Sequence, residues 1–253
     1  MDPQSRFSNR VDAYVKYRPG YPPEVIDFFA EQCGLRSNHP VADVGSGTGI
    51  LSELFLKNGN RVYGVEPNAE MRAAAERILA AYPQFVSVSG SAEATALPED
   101  LVDFVTAAQA FHWFEPKRAR AEFTRVLKPG GWVALLWNER RTDSTAFLHD
   151  YEGLLLTFGT DYQEVRHENV YENIAAFFAP HGFQQTSFEN QQVFDYEGLQ
   201  GRLVSSSYVP AEGQPGFSEM LAALRRLFDA HQQGGHVVVA YDTRLYYGQL
   251  DSG

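Results

Sequence analysis

Three glycines at alternate positions stand in Val41-Ala42-Asp43-Val44-Gly45-Ser46-Gly47-Thr48-Gly49-Ile50, between a short apolar run and a stretch with apolar residues at helical spacing. Glycine permits the sharp turn and lets a ligand lie against main chain without meeting a Cβ. A helix that opens at the end of such a loop presents unpaired N–H groups to whatever sits above it. An acid, Glu66, follows 17 residues after Gly49, at the end of Val62-Tyr63-Gly64-Val65. A carboxylate at the end of a second strand accepts hydrogen bonds from both hydroxyls of a ribose. A lone glycine cluster is usually a tight turn, but the loop and the spaced acid together point to an adenosine-containing ligand.

The dinucleotide fingerprint G-x-G-x-x-G needs glycine at position 50, where Ile50 stands; the pattern here is G-x-G-x-G, preceded by Asp43. No lysine follows in the manner of a P-loop, so a nucleoside triphosphate cradle is unsupported. An acid just before the loop repels a pyrophosphate. It suits a ligand with an ammonium group and a positively charged sulfur, which describes S-adenosylmethionine. A nicotinamide-dependent oxidoreductase stays open as a weaker alternative that Ile50 disfavours, as does a cofactor-binding protein without turnover.

The elements that must position these residues alternate along the first half of the chain. Strand-like runs at Val41–Val44, Arg61–Val65, Phe85–Val88, Leu101–Thr106 and Trp132–Trp137 are interleaved with helix-like periods at Ile50–Leu56, Ala69–Ala81 and Pro116–Val126. Lys128-Pro129-Gly130-Gly131 reads as a turn before the fifth strand. This alternation predicts an α/β fold, doubly wound around a mostly parallel sheet. Beyond it, a helix end at Ile174–Pro180, a strand at Phe183–Phe194, a helix at Leu221–His231 and a strand at Val237–Leu245 are expected. Segments 140–170 and 197–235 read as helical insertions over one edge of the sheet, forming a cap on the substrate side.

In order, spacing and context the residues resemble the class I S-adenosylmethionine-dependent methyltransferases, in particular their type 11 small-molecule branch. The carriers are Asp43 to Gly49, Glu66-Pro67, Gly90-Ser91-Ala92-Glu93 before Leu97-Pro98, Ala108-Gln109-Ala110-Phe111-His112-Trp113-Phe114, and Val126-Leu127-Lys128-Pro129-Gly130-Gly131. The resemblance covers Arg6 to Asn138 well and the remainder loosely. It implies one domain over 1–253 with a seven-stranded Rossmann-like sheet, a cofactor-covering segment at 1–35 and a cofactor-binding half at 36–139. It implies that Gly45, Ser46, Gly47 and Gly49 pass under S-adenosyl-L-methionine, which leaves as S-adenosyl-L-homocysteine. Asp43 would orient the amino group, Glu66 would hold the ribose and Pro67 would flank the adenine. Ser91, Ala92 and Glu93 would run along the adenine edge, through the Ala92 N–H or the Glu93 side chain, and Gln109 would lie near the methionine end. In the N-terminal segment, Tyr17 and Arg18 are the expected cofactor contacts, with Arg18 on the methionine carboxylate and the ring of Tyr14 or Tyr17 facing the sulfonium.

Methyl transfer from a sulfonium is an in-line displacement that demands alignment and exclusion of water; a base is needed only for a protonated acceptor. His112, after the fourth strand, is the candidate base, with an ordinary pKa suited to neutral pH. Tyr14, Trp113, Trp137 and Asn138 are candidate lining of the acceptor pocket. No nucleophile elbow and no H-E-x-x-H occurs, and His149, His181, His231 and His236 lack metal-ligand spacing, so no metal is expected. Thirty-two acidic residues against 21 basic ones give a formal charge of −11, a poor match for nucleic acid or anionic lipid. The single cysteine, Cys33, excludes an intramolecular disulfide framework. The expectation is an acidic cytoplasmic enzyme acting on a small-molecule methyl acceptor, with no nucleic acid and no membrane partner.

Overall fold

The computed structural model describes residues 17–160, 170–206 and 208–251. Five parallel strands, β1 (Val41–Val44), β2 (Val62–Val65), β3 (Phe85–Val88), β4 (Val102–Ala108) and β5 (Leu127–Arg140), build one side of a seven-stranded sheet. β7 (Val237–Gly248) runs antiparallel against β5, and β6 (Gln184–Phe194) antiparallel against β7. The order across the sheet is β3-β2-β1-β4-β5-β7-β6. The chain order reverses between β1 and β4, which opens a crevice at the carboxyl ends of those strands.

The pleat sorts side chains onto two cores. In β5, Val133, Leu135 and Trp137 join one core while Ala134 and Leu136 join the other. The first face packs on Ala119, Phe123 and Val126 of α4 (Pro116–Val126) and on Ile174, Phe177 and Phe178 of α6 (Val170–Phe178). The second packs on Val25 and Phe29 of α1 (Glu24–Cys33) and on Leu51, Phe55 and Leu56 of α2 (Ile50–Lys57). Every residue of β1 is buried, as a central parallel strand covered on both sides requires. α3 (Ala69–Ile78) starts at Asn68, whose Oδ1 accepts from the N–H groups of Glu70 and Met71 at 2.9 and 3.0 Å.

A third cluster lies apart from both. α5 (Ala146–Phe158), α7 (Tyr196–Val204) and α8 (Phe217–His231) bury Leu148, Tyr151, Leu199, Leu203, Met220 and Leu224 with Phe194, Val237, Val239 and Tyr241. These last four stand at the end of β6 and the start of β7, so the three helices form a cap over that margin of the sheet. α6, which falls between the two insertions, belongs to the sheet layer instead.

Two local expectations change. Lys128–Gly131 is not a turn ahead of the fifth strand: β5 begins at Leu127, and these residues bulge within it. Val102 pairs with Leu127 and Phe104 with Trp132, so pairing with β4 resumes beyond the extra residues, with Gly130 at φ 76°. The helix expected over Ala69–Ala81 stops at Ile78. No helix among the described residues is long and apolar enough to cross a membrane.

Candidate active site

The β1–α2 loop takes three left-handed glycines, Gly45 at φ 70°, Gly47 at 55° and Gly49 at 85°. Their surroundings differ. A Cβ on Gly45 would fall 2.6 Å from the Ala110 Cβ, and one on Gly49 2.6 Å from Leu79 Cδ1, so both are held by packing from within. A Cβ on Gly47 would meet nothing within 4 Å. That residue turns its bare face to open space at the mouth of the crevice.

Glu66 stands beside it. Its Oε2 accepts from the Gly47 N–H at 3.0 Å and its Oε1 from the Asn68 N–H at 2.9 Å, which fixes the carboxylate between β2 and the loop. Burial raises the Glu66 carboxyl above its ordinary value, partly offset by those two N–H groups and by Arg72. The Arg72 guanidinium donates to the carbonyls of Glu66 and Pro67 at 2.7 and 2.8 Å, pinning the turn that carries them. Each oxygen of Glu66 keeps a second lone pair for a further donor.

Asp43 is 1% exposed and lies beneath the loop. Its Oδ2 accepts from Ser52 Oγ at 2.6 Å and its Oδ1 from Thr106 Oγ1 at 3.4 Å. Desolvation pushes its pKa up to about 6, against the two hydroxyls that favour the anion, with the negative charge of Glu66 adding to the rise. Asp43 therefore braces α2 and β4 from below the crevice.

The segment after β3 folds into a tight turn. Ser91 and Ala94 exchange backbone hydrogen bonds of 3.0 and 3.2 Å, and Ser91 Oγ accepts from the Glu93 N–H at 3.3 Å. Ala92 is buried in the first core. The Glu93 side chain is taken up structurally, because its Oε1 accepts from the Glu115 N–H at 2.8 Å. Glu115 in turn caps α4, so Glu93 clamps this turn to α4 through that one oxygen.

At the end of β4, Gln109 adopts φ 54°, an unusual conformation for a residue with a side chain. Its N–H donates to the Leu136 carbonyl at 2.9 Å and its Nε2 to the Asn138 carbonyl at 3.1 Å. Phe111–Trp113 form one turn of 3₁₀ helix, with His112 exposed on the rim and its ring centroid 4.8 Å from that of Trp113, which is 43% exposed. Trp137 corrects another expectation. It is 2% exposed and packs edge-on against Phe111 and Tyr246, so it is core beneath the rim and not pocket lining.

Asn138 ties an N-terminal strap to the sheet. Its Nδ2 donates to the Gly20 carbonyl at 3.1 Å, and its Oδ1 accepts from Asn190 Nδ2 at 3.1 Å and from the Thr243 hydroxyl. Asn190 also donates to Gly20 at 2.8 Å. Tyr17 packs on the cap. Its ring packs so tightly on Gly201 that a Cβ there would fall 2.2 Å from it, which places Tyr17 in the cap cluster on α7. Arg18 donates from Nη2 to the Ser205 carbonyl at 3.4 Å. Tyr14 lies outside the described residues.

Sequence reasoning missed the polar residues of the cap. Arg202 stands on the buried stripe of α7 between Leu199 and Leu203, 7% exposed. Its Nε donates to Tyr241 Oη at 3.3 Å and its Nη1 to Ser206 Oγ at 3.0 Å. The available signal was an arginine at core spacing in a short amphipathic helix. Among the described residues no cluster of histidine, cysteine and carboxylate side chains is arranged to hold a metal ion.

The strand order, the glycine loop after β1 and the acid after β2 define the class I S-adenosylmethionine-dependent methyltransferase fold. Residues 42–135 match the family model described as a methyltransferase domain. An uncharacterized methyltransferase of Mycobacterium tuberculosis is 42% identical over 134 residues, which is 53% of this chain and 52% of that protein, so the match spans about half its length. An uncharacterized methyltransferase-like protein of Schizosaccharomyces pombe is 25% identical over 252 residues, covering 97% of this chain and 95% of its own. The solved structure of a putative type II methyltransferase from Anaeromyxobacter dehalogenans aligns with a TM-score of 0.70 at 26% identity, over 92% of this chain and 98% of that one. Over residues 42–135 the chain is thus similar to a methyltransferase domain, and as a whole it shares the fold of a solved methyltransferase structure.

Proposed function

We propose that the protein transfers the methyl group of S-adenosyl-L-methionine to a small-molecule acceptor. The observation that carries this reading is the cradle at Gly47, where a bare main-chain face opens on free space beside a carboxylate fixed by two backbone N–H groups. Those residues fit an adenosyl cofactor: Glu66 has lone pairs left for ribose hydroxyls, and Gly47 leaves room where any side chain would intrude. Bound there, the cofactor supplies a methyl group on a cationic sulfur, with a neutral thioether as leaving group.

The chain's own part is binding, aiming and drying. Glu66 holds the sugar. Asp43, ionised above about pH 6, sets a negative field under a ligand that carries positive charge. The β4 end, locked by Gln109 onto the Asn138 carbonyl, sets the far wall, and the cap helices exclude water. Positioning of this kind supplies about 7–11 kcal/mol of a displacement barrier. His112, exposed on the rim after β4, takes the proton when the acceptor carries one.

Calorimetry with S-adenosylmethionine and S-adenosylhomocysteine, followed by a radiolabelled methyl-transfer screen against small acids, phenols and quinol-like compounds, tests the reading. Binding of both cofactor forms and label in an acceptor are expected. Binding without transfer to any small molecule would leave a binding protein, and absence of binding would overturn the proposal. His112→Ala should lower turnover without changing cofactor affinity; turnover that survives across pH reduces the residue to lining.

A further inference from the structure

Arg202 is a buried cation without an anion. Its guanidinium donates to the neutral hydroxyls of Tyr241 and Ser206, and among the described residues no carboxylate pairs with it. Removing a guanidinium from water without a countercharge is unfavourable, and hydroxyl partners repay only part of that loss. Hydrophobic packing does not require this residue, since Leu199 and Leu203 already cover the stripe of α7.

Two further arginines approach the same region. Arg140, the last residue of β5, pairs with Glu152 and lies over the Tyr151 ring with its guanidinium carbon 5.2 Å from the centroid. Arg18 on the strap bonds the Ser205 carbonyl, one residue from the Ser206 hydroxyl that holds Arg202. The phenol of Tyr208 sits in the field of all three. Burial alone would raise it, yet Arg202, the Ser206 hydroxyl, Arg18 and Arg140 hold it below its ordinary value.

The place is as informative as the charge. β5 is parallel to β4, so Arg140 stands at the carboxyl edge of the sheet, on the same side as Gln109. It is two residues past Asn138, a rise of roughly 7 Å along the strand. Tyr241, which accepts from Arg202, is the register partner of Arg140 on β7. The arginines therefore lie where the cap meets the crevice edge.

Resting on the methyl-transfer reading above, we propose that Arg202, with Arg18 and Arg140 beside it, binds a carboxylate of the methyl acceptor, so that the acceptor class is small organic acids. A guanidinium fork matches the two oxygens of a carboxylate. A carboxylate could also come from the methionine end of the cofactor, and the test separates the two sources.

The full chain is titrated calorimetrically with benzoate and succinate, and with benzamide and succinamide as neutral isosteres, both alone and saturated with S-adenosylhomocysteine. In the saturated protein the methionine carboxylate already occupies its own place. At least one carboxylate is expected to bind that complex tenfold or more tighter than its amide. Arg202→Met should bring the preference within twofold, Arg202→Lys should leave it intermediate, and S-adenosylhomocysteine affinity should stay within twofold in both. No preference in the wild type, or a preference that survives Arg202→Met, overturns the proposal. So does an Arg202→Met variant that loses tenfold or more in S-adenosylhomocysteine affinity, because the arginine then serves the cofactor. The wild-type comparison needs no variant, and Arg202→Lys keeps the charge if the methionine variant fails to fold. Failure of S-adenosylhomocysteine to bind the wild type would sink the functional reading instead, and the carboxylate preference would still be read on the unloaded chain.

Discussion

Asp43 is neutralised most easily by the folded protein itself, and this makes Asp43→Asn a sharp test of how the crevice is built. The carboxyl is pushed from an ordinary 3.8 up to about 6 by desolvation, against the Ser52 and Thr106 hydroxyls. A carboxyl whose folded pKa is raised stabilises the fold fully below its unfolded value, and that contribution is lost as pH rises through the folded one. The gap between 3.8 and about 6 corresponds to about 3 kcal/mol, of which about 2 kcal/mol is lost between pH 4.5 and 7. Urea unfolding of the wild type and of Asp43→Asn, followed by tryptophan fluorescence at several pH values across that range, isolates this one group, because every other titration cancels in the difference. The wild type should lose about 2 kcal/mol relative to the variant as pH rises from 4.5 to 7. Parallel stability curves, or a difference of the opposite sign, would refute the assignment of desolvation as the dominant cause. A second arm reads function. Positive charge on the ligand favours ionised Asp43, so S-adenosylmethionine should gain more affinity from pH 5 to 7.5 than the uncharged thioether S-adenosylhomocysteine does.

Glu66→Ala should weaken S-adenosylhomocysteine binding by about 1.5–3 kcal/mol, since the ligand loses a charged acceptor; calorimetry checks this, and unchanged affinity removes Glu66 from the site. Gly45→Ala and Gly47→Ala share a left-handed backbone that costs about 1–2 kcal/mol for any side chain, but only the former drives a Cβ to 2.6 Å from Ala110. Thermal melts should therefore show Gly45→Ala the less stable of the pair, with Gly47→Ala instead losing ligand affinity. Burial pushes the Cys33 thiol up to about 12, so little thiolate exists at pH 8. Iodoacetamide should label the native chain many-fold more slowly than the urea-unfolded chain, and equal rates would contradict that burial.

The half of the molecule that was legible in advance is the half built from local signals. The glycine loop, the acid after β2 and the alternating runs each declare themselves within ten residues. The bulge at Lys128–Gly131 did not, because Pro129, Gly130 and Gly131 carry turn chemistry. Only the neighbouring strand, pairing on both sides of the interruption, keeps them in β5. Trp137 was misplaced for the opposite reason. The alternation Val133, Leu135, Trp137 already put it on a core face, but proximity along the chain to the crevice residues outweighed that pattern. The strand at β6 was legible, but the polar contacts of β6 and the cap were not, since their residues answer to distant partners. Asn190 matters through Gly20 and Asn138, Gln192 through Tyr17 and Tyr241, and Arg202 through Tyr241. No window of sequence contains both members of such pairs.

Gln109 has a consequence for anyone who would harden this protein against heat. A side-chain-bearing residue at φ 54° stores conformational energy that glycine would release, so a screen for higher melting temperature should favour Gln109→Gly. The same exchange deletes the amide that grips the Asn138 carbonyl, and with it the brace between the end of β4 and the strand beside it. Relief of backbone strain and loss of that brace are thus set against each other at a single residue.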